Sequence, residues 1–151
     1  MNFTPRKINT FLLFKLPAAF FTGVRVTSIT EMNSVVHVRY KWANQNPFKS
    51  MFWAVQGMAS ELTTGILVMK SISNSGKRIS MLVTNMNAVF LKKAVGKIRF
   101  ECNDGQLISE AIERAIETGE GQTVVVRSEG INEEGISVSK FEYEWSLKLK
   151  S

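Results

Sequence analysis

Apolar and polar residues alternate along much of this chain, and alternation of period two marks a strand with one buried face. Val24 to Ile29 and Val35 to Trp42 read as the first two strands, joined by the turn Glu31-Met32-Asn33-Ser34. In the second, Val36, Val38 and Tyr40 share one face while His37, Arg39 and Lys41 share the other. Ile79 to Leu91 is a longer strand. Gly96 opens the next, where Ile98, Phe100 and Cys102 alternate with Lys97, Arg99 and Glu101. Thr123 to Ser128 and Ile136 to Leu149 are the last two strands, connected through Asn132-Glu133-Glu134-Gly135. Phe141, Tyr143, Trp145, Leu147 and Leu149 lie in phase, but Ile136 and Val138 do not, which predicts a bulge near Ser139.

Three stretches follow a helical period instead. Thr4-Pro5 is an N-cap with proline at the first helical position, and this helix should run to about Lys15 and stop before Pro17. Asn46-Pro47 opens the main helix in the same way, to about Met69. Phe48, Met51, Phe52, Val55, Met58, Ala59, Leu62, Ile66 and Met69 give it a broad apolar face. Asp104 caps a third helix with the stripe Ile108, Ala111, Ile112, Ala115 and Ile116, ended by Gly119. Short turns join most of the strands, so the sheet should be antiparallel. One long, largely apolar helix against one curved antiparallel sheet is an α+β architecture.

The 151 residues are expected to form a single domain, 1–151. The net charge of +6 and pI near 9.6 favour anionic partners in general. The basic residues form no run beyond the pairs Arg6-Lys7, Lys77-Arg78 and Lys92-Lys93, so no nucleic-acid partner is expected. The lone cysteine, Cys102, allows no intrachain disulfide and fits a reducing, cytoplasmic setting. Lys15 and Pro17 interrupt the apolar stretch Phe11 to Phe21, which argues against a signal peptide. Ser50 to Met69 is long enough to span a bilayer, but Gln56, Ser60, Glu61, Thr63 and Thr64 occupy its middle. A central acid alone costs about 2.5–3.5 kcal/mol there, so no membrane partner is expected.

Glu61 is the only ionisable residue between Lys49 and Lys70. Ala54, Gly57 and Gly65 fall on its stripe and leave a shallow groove around the carboxylate. A buried carboxylate costs stability unless paired or protonated, and perturbed acids gather at functional sites. His37, the only histidine, points away from the expected core beside Arg39 and Lys41, and Cys102 points into it. No cluster with metal-ligand spacing and no phosphate-loop glycine pattern is present, so neither a metal nor a cofactor is expected.

Two strands, then Asn46-Pro47-Phe48-Lys49-Ser50, then a helix bearing Glu61, together resemble the hotdog superfamily of acyl-CoA thioesterases. Phe90-Leu91-Lys92-Lys93-Ala94, followed by Gly96-Lys97, is similar to that fold's strand end and turn. The resemblance covers about Val24 to Asn103 and is nearest to a bacterial branch with an Asn-Pro-Phe helix start. It implies a hotdog fold, with an extra N-terminal helix and a second helix between late strands. It also implies hydrolysis of acyl-CoA or a related thioester, with Glu61 as base or nucleophile and Asn46 orienting substrate or water. A backbone amide at the helix start would polarise the carbonyl. Where many members carry His-Gly-Gly, this chain has Phe52, Trp53 and Ala54. By the same resemblance Trp53, Gly57, Thr84 and Asn85 would contact substrate, and Lys92 and Lys93 the coenzyme A phosphates. The alternative is a non-catalytic acyl- or lipid-binding protein whose pocket is lined by Trp53 and methionines. An exposed sheet edge calls for a partner, so a two-fold homodimer, or a dimer of such dimers, is expected.

Overall fold

The computed structural model describes residues 2–151. The strands are β1 (Arg25–Ile29), β2 (Ser34–Arg39), β3 (Ile79–Phe90), β4 (Lys97–Cys102), β5 (Gln122–Ile131) and β6 (Ser137–Leu149). The helices are α1 (Pro5–Lys15), α2 (Pro17–Phe21), α3 (Trp53–Ser75) and α4 (Gly105–Thr118). The strands form one antiparallel sheet in the order β1-β2-β4-β5-β6-β3. One face is covered by α3, with α4 packed beside it, and the long helix wrapped by a curved sheet is the expected hotdog architecture. Val36, Val38, Ile98, Phe100, Val126, Phe141, Tyr143 and Leu147 turn inward to meet Val55, Ala59, Leu62 and Ile66 of α3.

Local chemistry sets several boundaries as the sequence predicts. The Thr4 hydroxyl accepts from the Lys7 N–H at 3.3 Å and starts α1. The sequence did not predict α2, which begins at Pro17 directly after α1 ends. Gly119, with φ 70°, closes α4 in the left-handed conformation that glycine adopts without steric cost. The bulge near Ser139 is present: Gly130 pairs with Ser139 but Ile131 pairs with Ser137, so Val138 and Ser139 are both buried in succession.

Other boundaries differ. The main helix starts at Trp53, not at Pro47. The Asn46 side-chain oxygen accepts from the Phe48 and Ser50 N–H groups, at 2.8 and 3.2 Å, and folds residues 46–50 into a tight turn. Lys49 takes φ 59° there, which is incompatible with a right-handed helix. Phe48 and Phe52 therefore project outward and are exposed, against the expectation that they join the core. At its other end α3 runs past Met69 to Ser75 and stops at Gly76 with φ 68°. Asp104 sits at the N-cap position of α4, but its carboxylate reaches across to the Arg127 N–H at 2.8 Å instead of capping the helix.

Although consecutive in the chain, β3 and β4 are not neighbours in the sheet. β3 pairs with β6 along its whole length and forms one edge, whereas β1 forms the other. The outer edge of β3 has no strand partner among the described residues, and Leu82, Met86, Val89 and Phe90 of this strand are exposed.

Candidate active site

The side of α3 facing the sheet is more polar than a hydrophobic period predicts. Gln56, Ser60, Thr63 and Thr64 are all buried against it. Each hydroxyl finds a partner. Those of Ser60 and Tyr143 lie 2.6 Å apart, and both reach the Gly57 carbonyl at 3.0 Å. The Thr63 hydroxyl is 2.6 Å from the Ser60 carbonyl and 2.7 Å from the Ser128 hydroxyl. The indole N–H of Trp145 donates to Thr64 Oγ1 at 3.0 Å, and Ser34 donates to the Thr63 carbonyl at 2.6 Å. These bonds fix the rotation of α3 about its axis, because a turn of the helix would leave several buried hydroxyls unpaired. Gln56 Oε1 is the exception on this helix, buried without a donor.

That rotation leaves Glu61 half-buried, beside Gly65 and within electrostatic reach of Tyr143. Its carboxylate accepts no hydrogen bond among the described residues and forms no ion pair. Burial pushes its pKa up from the ordinary carboxylate range. The Trp145 ring lies against Gly65: a β-carbon there would sit 3.4 Å from the indole and 3.9 Å from Glu61 Oε1. Opposite, Lys15 to Ala19, between α1 and α2, join Met58 and Leu62 around a pocket of about 210 Å³ into which Glu61 faces. Burial, and secondarily the charge of Glu61, also raise the Tyr143 phenol, while its hydrogen bond with Ser60 opposes them.

A larger pocket, about 610 Å³, opens at the start of α3. Phe48, Phe52, Trp53, Phe90 and Leu91 supply its apolar lining, and Asn46, Gln56, Lys92 and Lys93 its polar groups. The N–H groups of Trp53 and Ala54 have no acceptor among the described residues, as the first turn of a helix leaves them. They are oriented donors at the positive end of the helix, suited to a developing oxyanion. The Asn46 side chain is committed to its own turn: besides its two backbone donors, its Nδ2 reaches Ser50 Oγ at 3.0 Å. It shapes the pocket wall. Lys93 donates to the Phe48 carbonyl at 3.2 Å, closing the same wall from the β3–β4 connection.

The residues singled out from the sequence thus fall into three places. Asn46, Trp53, Lys92 and Lys93 gather at the helix start, and Gly57 and Glu61 lie further along α3. Thr84 and Asn85 lie on β3, where Thr84 donates to Glu144 Oε2 at 2.8 Å and Asn85 stands opposite Glu144 at a bulge. Within one protomer they do not join Glu61, because Val83 and Met86, paired with Trp145 and Tyr143, occupy the helix-facing side of that strand. His37 is half-buried, and desolvation with nearby Lys97 and Arg99 lowers its pKa. Cys102 is fully buried, which pushes its thiol up to about 12 and leaves it inert. Among the described residues no group of three metal-ligating side chains gathers. The polar row from Gln56 to Thr64, with Tyr143 and Trp145, escaped the sequence reading. Its only signal was four uncharged polar residues inside an otherwise apolar helix.

Residues 5–147 match the model of a protein family described as a domain of unknown function, DUF4442. The chain belongs to the DUF4442 family. No curated protein matches this DUF4442 chain. Its fold recurs in solved structures. A protein of unknown function from Pseudomonas aeruginosa, named a probable thioesterase, is 21% identical with a TM-score of 0.82, and the match covers 97% of each chain. A protein of unknown function from Chlorobaculum tepidum is 16% identical with a TM-score of 0.82, over 97% of this chain and 94% of that one. A thioesterase from Haemophilus influenzae is 12% identical with a TM-score of 0.72, over 99% of this chain and 93% of that one. At these identities the likeness establishes the fold, and this DUF4442 domain is an α+β hotdog domain.

Proposed function

We propose that this DUF4442 protein hydrolyses acyl-CoA or a related acyl thioester, with Glu61 as its catalytic carboxylate. The observation that carries the reading is the state of Glu61: half-buried, without a hydrogen-bond donor among the described residues, raised in pKa by desolvation and facing a pocket. A carboxylate so placed is a stronger base near neutral pH than an exposed one. It removes a proton from water as the oxygen attacks the thioester carbon, or attacks that carbon itself to form an anhydride that water then cleaves. The N–H groups of Trp53 and Ala54 take the oxyanion, the C–S bond breaks, and the thiolate leaves and is protonated. Lys92 and Lys93 meet the coenzyme phosphates, and Gly57 leaves room beside the acid.

Trp53 and Glu61 are eight residues apart, about 12 Å along the helix axis. One protomer's helix start and its own acid are too far apart to serve the same carbonyl. The reading therefore includes a two-fold homodimer in which the acid of each protomer faces the helix start of the other. The unpaired, apolar edge of β3 supports this assembly, since edges of that kind are normally covered.

The test is a panel of short, medium and aromatic acyl-CoAs offered to the wild type and to Glu61→Gln. The variant is expected to bind the same compounds and to lose about a hundredfold in hydrolysis, the low end for a general base. Equal rates in the two proteins would remove Glu61 from the mechanism. Binding without hydrolysis by the wild type would favour the non-catalytic acyl-binding alternative, a reading supported by the commitment of the Asn46 amide to its own turn.

A further inference from the structure

Charge is strongly segregated along this chain. Residues 1–100 hold fourteen of the nineteen basic residues but only two acids, Glu31 and Glu61. Residues 101–151 hold the other eleven acids and five bases. The first thirty residues, which include α1 and α2, carry four cations and no acid. Of these, Arg25 is occupied: its guanidinium lies 3.7 Å from the Phe20 ring centre and donates to the Phe20 and Val24 carbonyls. Arg6, Lys7 and Lys15 are exposed and form no ion pair among the described residues.

The same hairpin displays large apolar side chains. Phe14 is 73% exposed, Phe21 66%, and Leu16 lies open between them in the chain. In α1, Ile8 and Leu12 turn inward, whereas Lys7, Phe11 and Phe14 fall on the opposite side and border an open apolar depression with Arg6 and Lys15. Exposed aromatic and leucine side chains interleaved with lysine and arginine are the composition of a helix that lies in a bilayer interface. A second copy of the chain is a poorer occupant. α1 is fastened to β1, where the Asn9 side chain exchanges two hydrogen bonds with the Val26 backbone. β1 is the opposite edge of the sheet from β3, so strand pairing along β3 does not reach the edge that holds α1.

We propose that the α1–α2 hairpin docks this protein onto an anionic lipid surface, with Phe14 and Phe21 inserted among the lipids and Arg6 and Lys7 against the headgroups. No helix of the described residues is long and apolar enough to cross a membrane, but a surface contact needs no span. The contact also has a consequence for the site, because Lys15 and Leu16 line the Glu61 pocket as well as belonging to the hairpin. A bilayer held there lies at the pocket's rim, where an acyl chain can pass from lipid to protein.

The experiment is co-sedimentation of the full chain with vesicles, which requires no catalytic activity. One set is phosphatidylcholine alone; the other contains about one-third phosphatidylglycerol, enough for a negative surface potential. The wild type should bind only the anionic set and be released as salt rises and the surface charge is screened. Arg6→Glu with Lys7→Glu should weaken binding at least about tenfold, from the roughly 1 kcal/mol that each cation contributes near such a surface. Phe14→Ser with Phe21→Ser should abolish it, and unchanged melting temperatures would show that both pairs fold. No binding by the wild type, equal binding to both vesicle sets, or indifference to both variant pairs would each overturn the proposal. So would a fall in mass by light scattering in the Phe14→Ser, Phe21→Ser protein, because a second copy would then be what covers the patch.

Discussion

Leu62 and Ile66 are one helical turn apart on the buried side of α3, at 5% and 2% exposure, yet truncation should not cost the same at the two sites. Replacing a buried leucine or isoleucine by alanine loses transfer free energy plus a penalty for the void, about 2–5 kcal/mol in all. Leu62 lines the 210 Å³ pocket beside Glu61, so its missing carbons enlarge a space already open to water and the void penalty is small. Leu62→Ala should therefore fall at the low end, about 2–3 kcal/mol. Ile66 lines none of these pockets and is sealed in the core, so Ile66→Ala should cost about 3–5 kcal/mol. For a chain of this length about 3 °C of melting temperature corresponds to 1 kcal/mol, giving drops of about 6–9 °C and 9–15 °C. Urea denaturation with an unchanged slope would show that the folded state is what changed. A cost for Leu62→Ala below about 0.5 kcal/mol, the scale of surface substitutions, would show that this face of α3 is not buried. A cost equal to or above that of Ile66→Ala would refute the pocket argument.

Two further outcomes follow from the site and the sheet edge. Because burial raises the Glu61 pKa in the folded protein, the stability linked to its proton is fully present below the unfolded value and is lost as pH rises through the folded one. Glu61→Gln removes that loss, and no protein hydrogen bond to the carboxylate goes with it. The variant should match the wild type in acid and melt at a higher temperature at pH values above the folded pKa; a lower melting temperature there would contradict desolvation as the cause. At the sheet edge, Leu82→Lys with Val89→Lys puts two charges on the face of β3 away from α3 and should convert a dimer to a monomer by light scattering. A wild type already monomeric at micromolar concentration would rule out the proposed assembly.

Some of this architecture is written in short stretches of sequence. Inward-facing Val36 and Val38, Ile98 and Phe100, and Phe141 to Leu147 appear as period-two alternation, because a strand's side chains alternate whatever lies beside it. The phase break before Phe141 marked the bulge, and Thr4 and Gly119 marked helix ends, because each depends on a few adjacent residues. Glu61 stood out because a lone acid in an apolar helix conflicts with its surroundings. Asn-Pro at 46–47 misled for the same local reason: an asparagine oxygen bonding nearby N–H groups can start a helix or a tight turn. What decided for the turn was the left-handed Lys49 and the wall that Lys93 completes from the far side of the chain.

The sequence by itself determined the six strands, three of the four helices apart from the start of α3, and that one carboxylate would stand in the central helix, since these follow from period, cap and charge. Tertiary structure decided the order of the sheet, with β3 carried past β4 to the far edge, because strand neighbours are chosen by which faces can be buried together. It also decided how α3 is rotated. Ser60, Thr63 and Thr64 look solvent-facing on a helical wheel, but Tyr143, Ser128 and Trp145, 65 to 83 residues further on, offer them hydrogen bonds in the interior. Those bonds, together with the indole packed against Gly65, turn Glu61 toward its pocket.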